Sequence, residues 1–451
     1  MSRLAGALAL ACGMLLMSPI RVDAAEDVHS YGIAHRIESK PYLNMPSAPS
    51  GDMPKLLSQT GAFRDVRNLV PVDSLVPYDL VVPFWSDGAR KIRYVAVPKG
   101  RIKFAPTGEW TFPAGTVFVK TFELPSDARD PAIKRRLETR LLMIGADSLV
   151  YGVVYKWRPD LSDADLLPDG RSEKILMHGA DGQVREQTWY YPSRKDCITC
   201  HTPRAGGVLG VKTRQMNHDF AYPSGVADNE LRVWNHLGLF KPTLREEAIR
   251  GFDRLAAPTD TSRSIEDRAR SYLDANCSQC HRPGGTVANF DARYGTPLGE
   301  QGLIDGPVLI DQGIDRPRVI SPHDTWRSIA FMRVDTVGDI RMPPIDRETI
   351  DESGVALLRE WIDSLPGRPV LAPPEIQPAG GTFGKPVLVT LTDPDPGADI
   401  RYTVDGSAPG SKDQKYDKPF MLSGPAVLRT RAFKDGFTKS ISSQEVFVVN
   451  H

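Results

Sequence analysis

The chain repeats one short arrangement of reactive side chains, and this repeat constrains its structure more than any other feature. Two cysteines separated by two residues are followed directly by a histidine, first in DCITCHT and again in NCSQCHR. The residues are Cys197, Cys200 and His201 in the first motif, and Cys277, Cys280 and His281 in the second. Each motif holds two thiols and one imidazole within a short stretch of backbone. The question is which chemistry requires this arrangement twice in one chain.

The N-terminus has the layout of a secretory signal. One arginine precedes an apolar run from Leu4 to Met17, and small residues stand at a cleavage point after Ala24. Residues 1–24 are therefore predicted to be a signal peptide, and the mature protein is expected in the periplasm. Cleavage before Cys12, with acylation as in a lipoprotein, is the alternative, although apolar residues continue beyond it. No stretch of the sequence approaches the roughly 20 apolar residues that a membrane span needs.

The cysteine count limits the chemistry of the two motifs. The chain has 5 Cys, and removal of Cys12 with the signal leaves only the motif cysteines. Two disulfides would suit an oxidising compartment, but they do not require a histidine after each pair. A thioredoxin-like site lacks that histidine, and structural zinc sites do not usually place a histidine ligand directly after a cysteine. C-x-x-C-H is typical of covalent haem attachment, so two covalently bound haem c groups are predicted.

The same interpretation assigns ligands to the two irons. The thiols of each motif would bond the haem vinyl groups, and the histidine would ligate the iron. Met342 in RMPP is the predicted distal ligand of the second haem, because the two prolines favour an extended loop. No Met-Pro loop follows the first motif, and Met216 is the leading candidate there. An open five-coordinate iron is one alternative, and three histidines are the others: His178, His218 and His236.

Composition and patterning predict several domains. Lys+Arg 56 balances Asp+Glu 56, which gives no reason to expect a nucleic acid or an anionic membrane as partner. Short β-branched and aromatic runs separated by turn signals predict an antiparallel β-rich domain at 25–192. Helical spacing before the second motif and in ALLREWIDSLP predicts amphipathic helices. We therefore expect a multidomain α+β chain, in which an α-helical cytochrome c region follows the β-rich domain. This region contains a first haem region at 193–261 and a domain resembling class I cytochrome c at 262–367.

The last segment, residues 371–451, is predicted to be a small β-sandwich. Its alternating runs VLVTLT, IRYTVDG, AVLRTRAF and EVFVV are typical of half-buried strands. IRYTVDGSAP, YDKPF and LRTRAFKDGFTKS resemble the C-terminal module of chitobiases and β-hexosaminidases. This resemblance makes carbohydrate a candidate ligand. A purely structural role is the alternative, because a fold alone does not define a function.

A second resemblance covers most of residues 75–367. PFWSDGARKIRYVAVPKG, FPAGTVFVKTFEL and YPSRKDCITCHTPRAGGVLGVKTRQMN, with the second motif and its MPP loop, resemble bacterial exported dihaem c-type cytochromes. The resemblance implies electron transfer between redox partner proteins rather than catalysis. Two alternatives stay open. One is a dihaem peroxidase or oxidase with an open iron face, and the other is an accessory electron donor to polysaccharide oxidation.

Overall fold

The computed structural model describes residues 31–286 and 289–450. The predicted signal peptide and Cys12 lie outside the described residues. The described chain is mostly β-structure, with 29% strand and 15% helix. Its seven α-helices are short, and the longest contain 13 residues. The prediction of an α+β chain with an α-helical cytochrome c region was therefore wrong, and the fold is a β-rich assembly of several sheets.

The N-terminal part is built around a six-stranded antiparallel sheet with the order β3-β4-β6-β7-β8-β9. Strands β10 and β11 form a separate antiparallel hairpin that leads to the first motif. Strand β5 pairs instead with a strand later in the chain. The strands are β1 (Phe63–Asp65), β2 (Val70–Pro71), β3 (Leu75–Tyr78), β4 (Arg90–Ala96), β5 (Ile102–Lys103), β6 (Val117–Pro125), β7 (Lys134–Ile144), β8 (Val150–Trp157), β9 (Ala164–Leu167), β10 (Arg171–His178) and β11 (Val184–Tyr191).

The central sheet is covered on both faces, which explains its long apolar runs. On one face, Val119, Leu141 and Val153 pack against residues of the preceding segment, such as Leu57. On the other face, Phe118 belongs to an aromatic cluster with residues from the segment after the first motif. This second face also borders the cavity described below, so the N-terminal sheet forms one wall of the candidate site.

The middle part contains all seven α-helices of the described residues. The first motif lies at the end of α1, and the second begins at the last residue of α5. Strand β14 pairs in parallel with β5, which joins this part to the N-terminal part. The elements are α1 (Arg194–Cys200), α2 (Thr213–Met216), β12 (Asp219–Ala221), β13 (Ala227–Asn229), α3 (Glu230–His236), β14 (Phe240–Lys241), α4 (Glu246–Ile249), α5 (Ile265–Cys277), α6 (Ile329–Val334) and α7 (Glu352–Ser364).

The failure of the α-helical prediction has a local cause. The apolar periodicity in the sequence correctly predicted two helices, α5 and α7. These helices pack against each other through residues such as Tyr272, Leu358 and Trp361. Most of the chain between α5 and α6 has no such periodicity. It is rich in glycine and proline, as in RPGG, YGTPLGE and DRPR. Its described residues form a short 3-10 turn at Leu298–Glu300 and a few isolated β-bridges, but no α-helix. Glycine and proline favour turns and loops, so two isolated helices did not extend into a helical domain.

The C-terminal part consists of two facing sheets with the orders β15-β17-β20 and β16-β22-β21-β18-β19. Their inner side chains, including Val389, Leu428 and Phe447, form a separate hydrophobic core. Arg327 ties this part to the middle part, because its guanidinium donates to the backbone oxygen of Ser440 at 3.0 Å. The strands are β15 (Glu375–Gln377), β16 (Gly381–Phe383), β17 (Val387–Thr392), β18 (Asp399–Thr403), β19 (Gln414–Lys415), β20 (Phe420–Leu422), β21 (Ala426–Phe433) and β22 (Ser443–Val449).

Candidate functional site

The first motif lies on a short helix that is fixed at both ends. Ser193 caps the N-terminus of α1 by accepting from the Asp196 N–H at 3.2 Å, and the Asp196 carboxylate accepts from the Ser193 N–H at 2.8 Å. Such reciprocal capping stabilises a helix that is too short to persist alone. Gly152 on β8 lets α1 approach the sheet, since a Cβ there would lie 2.7 Å from Cys197 Sγ. The Cys197 side chain therefore lies directly against strand β8.

His201 follows directly after α1 and lines the cavity. Its Nδ1 lies 2.8 Å from the backbone oxygen of Gly207, and its Nε2 makes no hydrogen bond to a described residue. Burial, reinforced by the charge of Lys120, lowers the pKa of His201 to about 4, so the imidazole is neutral. A neutral imidazole that donates through one nitrogen and leaves the other free is the usual arrangement of a metal-ligating histidine.

A large cavity separates the first motif from α5. The space between these elements is about 1410 Å³ when the open solvent at its mouth is included. The N-terminal sheet forms one wall, α1 and the segment after it form another, and residues 274–282 form a third. Cys197, Cys200 and His201 all face this space. Two thiols and a neutral imidazole that line one cavity are the groups that covalent haem attachment requires, so the residues present fit a haem.

The second motif continues from the C-terminal end of α5. Cys277 belongs to the hydrophobic cluster between α5 and α7, and burial raises the pKa of its thiol to about 12. The His281 ring stacks on Phe290, with centroids 4.3 Å apart and planes 13° apart. Burial lowers the pKa of His281 to about 4, and its buried Nδ1 has no hydrogen-bond partner among the described residues. A neutral imidazole on an apolar support also fits a ligand role.

The structure brings the two motifs beside each other. The thiols of Cys200 and Cys280 influence each other, which raises the pKa of Cys200 and lowers that of Cys280. Arg282, next to the second motif, forms an ion pair of 3.0 Å with Glu109 and donates to the backbone oxygen of Arg204 at 3.3 Å. The two attachment sites therefore adjoin each other, although 80 residues separate their histidines in sequence.

Met342 lies on a loop that a single buried arginine organises. The Arg347 side chain, 1% exposed, donates to the backbone oxygen of Met342 at 2.6 Å and to that of Arg333 at 3.1 Å. The Met342 N–H also donates to the Arg333 oxygen, at 2.9 Å. Asp346 in the same loop pairs with Arg140 of the N-terminal sheet and lines the cavity. The loop that carries Met342, the predicted ligand at the second motif, therefore also borders the cavity at the first motif.

The candidates for the distal position of the first site lie elsewhere. Met216 is fully buried in the aromatic cluster beside the sheet and does not line the cavity. His178 lies near the β10–β11 turn, His218 lies 3.1 Å from Glu230, and His236 stacks on Tyr31. Among the described residues that line the cavity, His201 is the only histidine and there is no methionine. The structure does not bring any of these four candidates to His201.

Sequence reasoning missed Asp87, which connects the N-terminal part to the Met342 loop. Its Oδ1 accepts from the N–H groups of Glu348 and Thr349, both at 2.8 Å, and from the Thr349 hydroxyl at 3.0 Å. Asp87 has a positive φ of 50° and is 4% exposed. The SDG sequence signals a turn, but only the fold shows which distant N–H groups that turn meets.

The geometry also bears on the other cysteine interpretations. The four motif cysteines are free thiols. Across residues 31–286 and 289–450, no group of three or more His, Cys, Asp or Glu side chains is arranged to hold a metal ion. Covalent haem attachment does not require such a group, because two thiols and one imidazole are sufficient protein contacts.

Comparisons with known proteins identify one segment. A family model for the chitobiase/β-hexosaminidase C-terminal domain matches residues 378–444, within the two facing sheets of the C-terminal part. This confirms the predicted resemblance of that module. No curated protein and no solved structure matches the chain. In the part of the chain that the structure describes, helices are too short or too polar to cross a membrane.

Proposed function

We propose that this chain is an exported dihaem c-type cytochrome that transfers electrons in the periplasm. One haem would be bound by Cys197, Cys200 and His201. The other would be bound by Cys277, Cys280 and His281, with Met342 as its distal ligand. The observation that carries the proposal is that the two motif segments adjoin each other beside one cavity, where Arg282 donates to the backbone oxygen of Arg204 at 3.3 Å. Haem groups, when bound, supply reversible one-electron chemistry at iron.

The side chains around the two motifs support this role. The Gly207 oxygen orients the His201 ring, and the neutral imidazoles of His201 and His281 are ready to ligate iron without losing a proton. Adjacent attachment sites would place the two groups close enough for a short internal relay. The cavity walls and the loop that carries Asp346 would limit solvent access to the first group.

The experiment is a haem analysis of the exported protein. We expect haem to remain bound after denaturation and extraction with acidified organic solvent, with the mass increase of two haem groups. A redox titration should then resolve two one-electron steps. Extraction of all haem into the solvent would refute covalent attachment, and a mass increase of one group would refute the dihaem assignment.

A haem-dependent peroxidase or oxidase is the second candidate. The observation that favours it is the lack of a methionine or a second histidine among the described residues that line the first cavity. An iron with a free face can bind peroxide or another small molecule. Carbon monoxide binding to the reduced protein and peroxide-dependent oxidation of a small electron donor test this candidate. A carrier should bind carbon monoxide poorly and show no rapid peroxide turnover.

The C-terminal module adds a proposal about location. Because residues 378–444 match a domain family of carbohydrate-active proteins, the module is a candidate for holding the electron carrier near a polysaccharide. The chain would then supply electrons to polysaccharide oxidation through redox partner proteins. Retention of the full chain on immobilised chitin or cellulose, compared with a protein that ends at residue 367, tests this role.

A further inference from the structure

A row of cations crosses the sheet face that borders the cavity. Arg93 of β4, Lys120 of β6 and Arg140 of β7 are direct neighbours in the strand register, Arg93 with Lys120 and Lys120 with Arg140. Lys91 lies two residues before Arg93 and therefore on the same face of β4. All four side chains line the cavity. Like charges directly opposite each other destabilise a sheet unless another group compensates them.

Only part of this charge is compensated within the protein. Arg93 pairs with Asp79, and Arg140 pairs with Asp346 and with Glu138. Among the described residues, no carboxylate lies within ion-pair distance of the lysines Lys91 and Lys120. Lys91 donates to the backbone oxygen of Phe84, and both ammonium groups lie over the ring of Phe122, at 5.7 Å and 5.1 Å from its centroid.

The carboxylates on the other cavity walls already have partners. Asp274 pairs with Lys212 at 2.6 Å, and Glu109 pairs with Arg282 at 3.0 Å. Asp196 caps α1 and accepts from the Tyr190 hydroxyl at 2.7 Å. Burial, with the neighbouring charges of Arg140 and Arg93, lowers the pKa of Lys120 to about 8. Burial, with the neighbouring charges of Arg93, Lys120 and Arg140, also lowers the pKa of Lys91 well below its usual value. Among the described residues of the cavity wall, Lys91 and Lys120 are thus the two amino groups that have no carboxylate partner, and a bound anion would stabilise their charged forms.

We propose that Lys91 and Lys120 form a carboxylate-binding site whose occupants are the two propionate groups of the haem attached to Cys197 and Cys200. The inference rests on the proposed function and extends it, because it assigns to the N-terminal sheet a direct part in holding the first haem. Two lysines on neighbouring strands match two carboxylates that extend from one edge of a macrocycle. A free dicarboxylate would be recognised by the same chemistry.

The test replaces each lysine with glutamine, singly and together, and measures both haem midpoint potentials. Removal of a cation beside a carboxylate leaves negative charge near the iron, which favours the ferric state. We expect the potential of the first haem to fall in each variant and to fall further in the double variant, with the second haem unchanged. Lys120→Arg should retain the potential. Lys174→Gln, on an exposed lysine paired with Glu186, is the matched control and should have no effect.

A second arm distinguishes the source of the carboxylate. Succinate added to the wild-type protein should change neither potential if propionates occupy the site. Saturable succinate binding that disappears in the double variant would support the same site with a soluble occupant, and calorimetry can measure it even without haem. Two bound haems with unchanged potentials in the double variant, and no succinate binding, would overturn the inference. Failure to find covalent haem would instead refute the proposed function.

Discussion

The two CxxCH regions share a motif but differ in their surroundings. The first region lies against the N-terminal sheet, where His201 is tied to the Gly207 oxygen and the facing wall carries Lys120. The second region lies at the end of α5, where Cys277 joins a hydrophobic cluster and His281 stacks on Phe290. One site is bordered by charge, and the other is supported by apolar side chains.

This difference indicates how two chemically identical cofactors could acquire different potentials. Charges near an iron site and the identity of its axial ligand are two independent means of changing the potential. Lysines and arginines but no methionine are among the described residues that line the cavity at the first site. Met342, the proposed ligand of the second site, lies on a loop fixed by Arg347. We therefore expect the second haem to resemble a His/Met cytochrome and the first to respond mainly to its electrostatic environment.

The largest expected effect comes from removing the two cysteines of one motif at a time. The variant in which Cys197 and Cys200 are both alanine should lose one covalent haem and retain the spectrum of the second site. The variant in which Cys277 and Cys280 are both alanine should lose the other haem. Mass measurement and absorption spectra of each variant check this expectation. Loss of both haems from either variant, in protein that remains folded by circular dichroism, would show that the sites are not independent.

Met342→Ala should produce the next largest change. We expect loss of the long-wavelength absorption band of Met-ligated ferric haem and a lower potential at the second site, because thioether ligation favours ferrous iron. Met216→Ala is the matched control. Because Met216 is fully buried in a core, its truncation should cost about 2–5 kcal/mol of unfolding free energy without removing the band. Loss of the band in the Met216 variant alone would reverse the two assignments.

The Asp87 contact tests whether the two regions depend on each other. Asp87→Ala would leave the N–H groups of Glu348 and Thr349 without their acceptor, at a cost of about 1–3 kcal/mol for each buried group. The Met342 loop should loosen, which weakens methionine ligation at the second site. Asp87→Asn keeps an oxygen acceptor and should retain most of the stability. Chemical denaturation and the Met-ligation band report the two effects, and equal behaviour of both variants would contradict this role.

Much of the candidate site could be predicted because the CxxCH motif lies within five consecutive residues. The CxxCH spacing places three groups on one helical turn regardless of the rest of the fold, and α7 was visible from its apolar periodicity. The fold class was wrong because two correct helices were extended into a domain that the intervening glycine- and proline-rich segment does not form. Met216 was proposed because methionine is a usual axial ligand of haem iron, but tertiary packing places it in a core.

The cationic wall could not have been predicted from the sequence. Lys120 interrupts the largely apolar strand VFVKTFELP, and Lys91 lies in RKIRYVA. Neither strand sequence shows whether its lysine faces solvent or a cavity. Here the sheet face that carries both lysines borders a cavity because α1 and residues 274–282 cover it. Which residues cover a sheet depends on contacts between distant segments, and local sequence patterns do not reveal them. The hydrogen-bond partners of Asp87 could not be predicted from the sequence for the same reason.

The smallest expected effect concerns His218, a candidate ligand of the first site that the structure pairs with Glu230. Burial raises the pKa of Glu230 to about 7, and the His218 side chain 3.1 Å away only partly opposes this. Burial lowers the pKa of His218, but Glu230 and the backbone oxygens of Asp79 and Asp219 together outweigh burial and raise it. The folded protein therefore binds both protons more tightly than the unfolded chain does.

Stability should consequently fall as the pH rises through this range. The Glu230 contribution is lost between about pH 4.3, the unfolded value, and about 7, and the His218 contribution is lost above about 6.5. Glu230→Gln keeps an acceptor for the Asp79 N–H at 2.7 Å but cannot titrate, so its unfolding free energy should vary less with pH, by about 1–2 kcal/mol between pH 5 and 8. Urea denaturation at several pH values measures this.

His218→Gln should leave both haem spectra unchanged, and a shifted spectrum in that variant would make His218 a ligand of the first site.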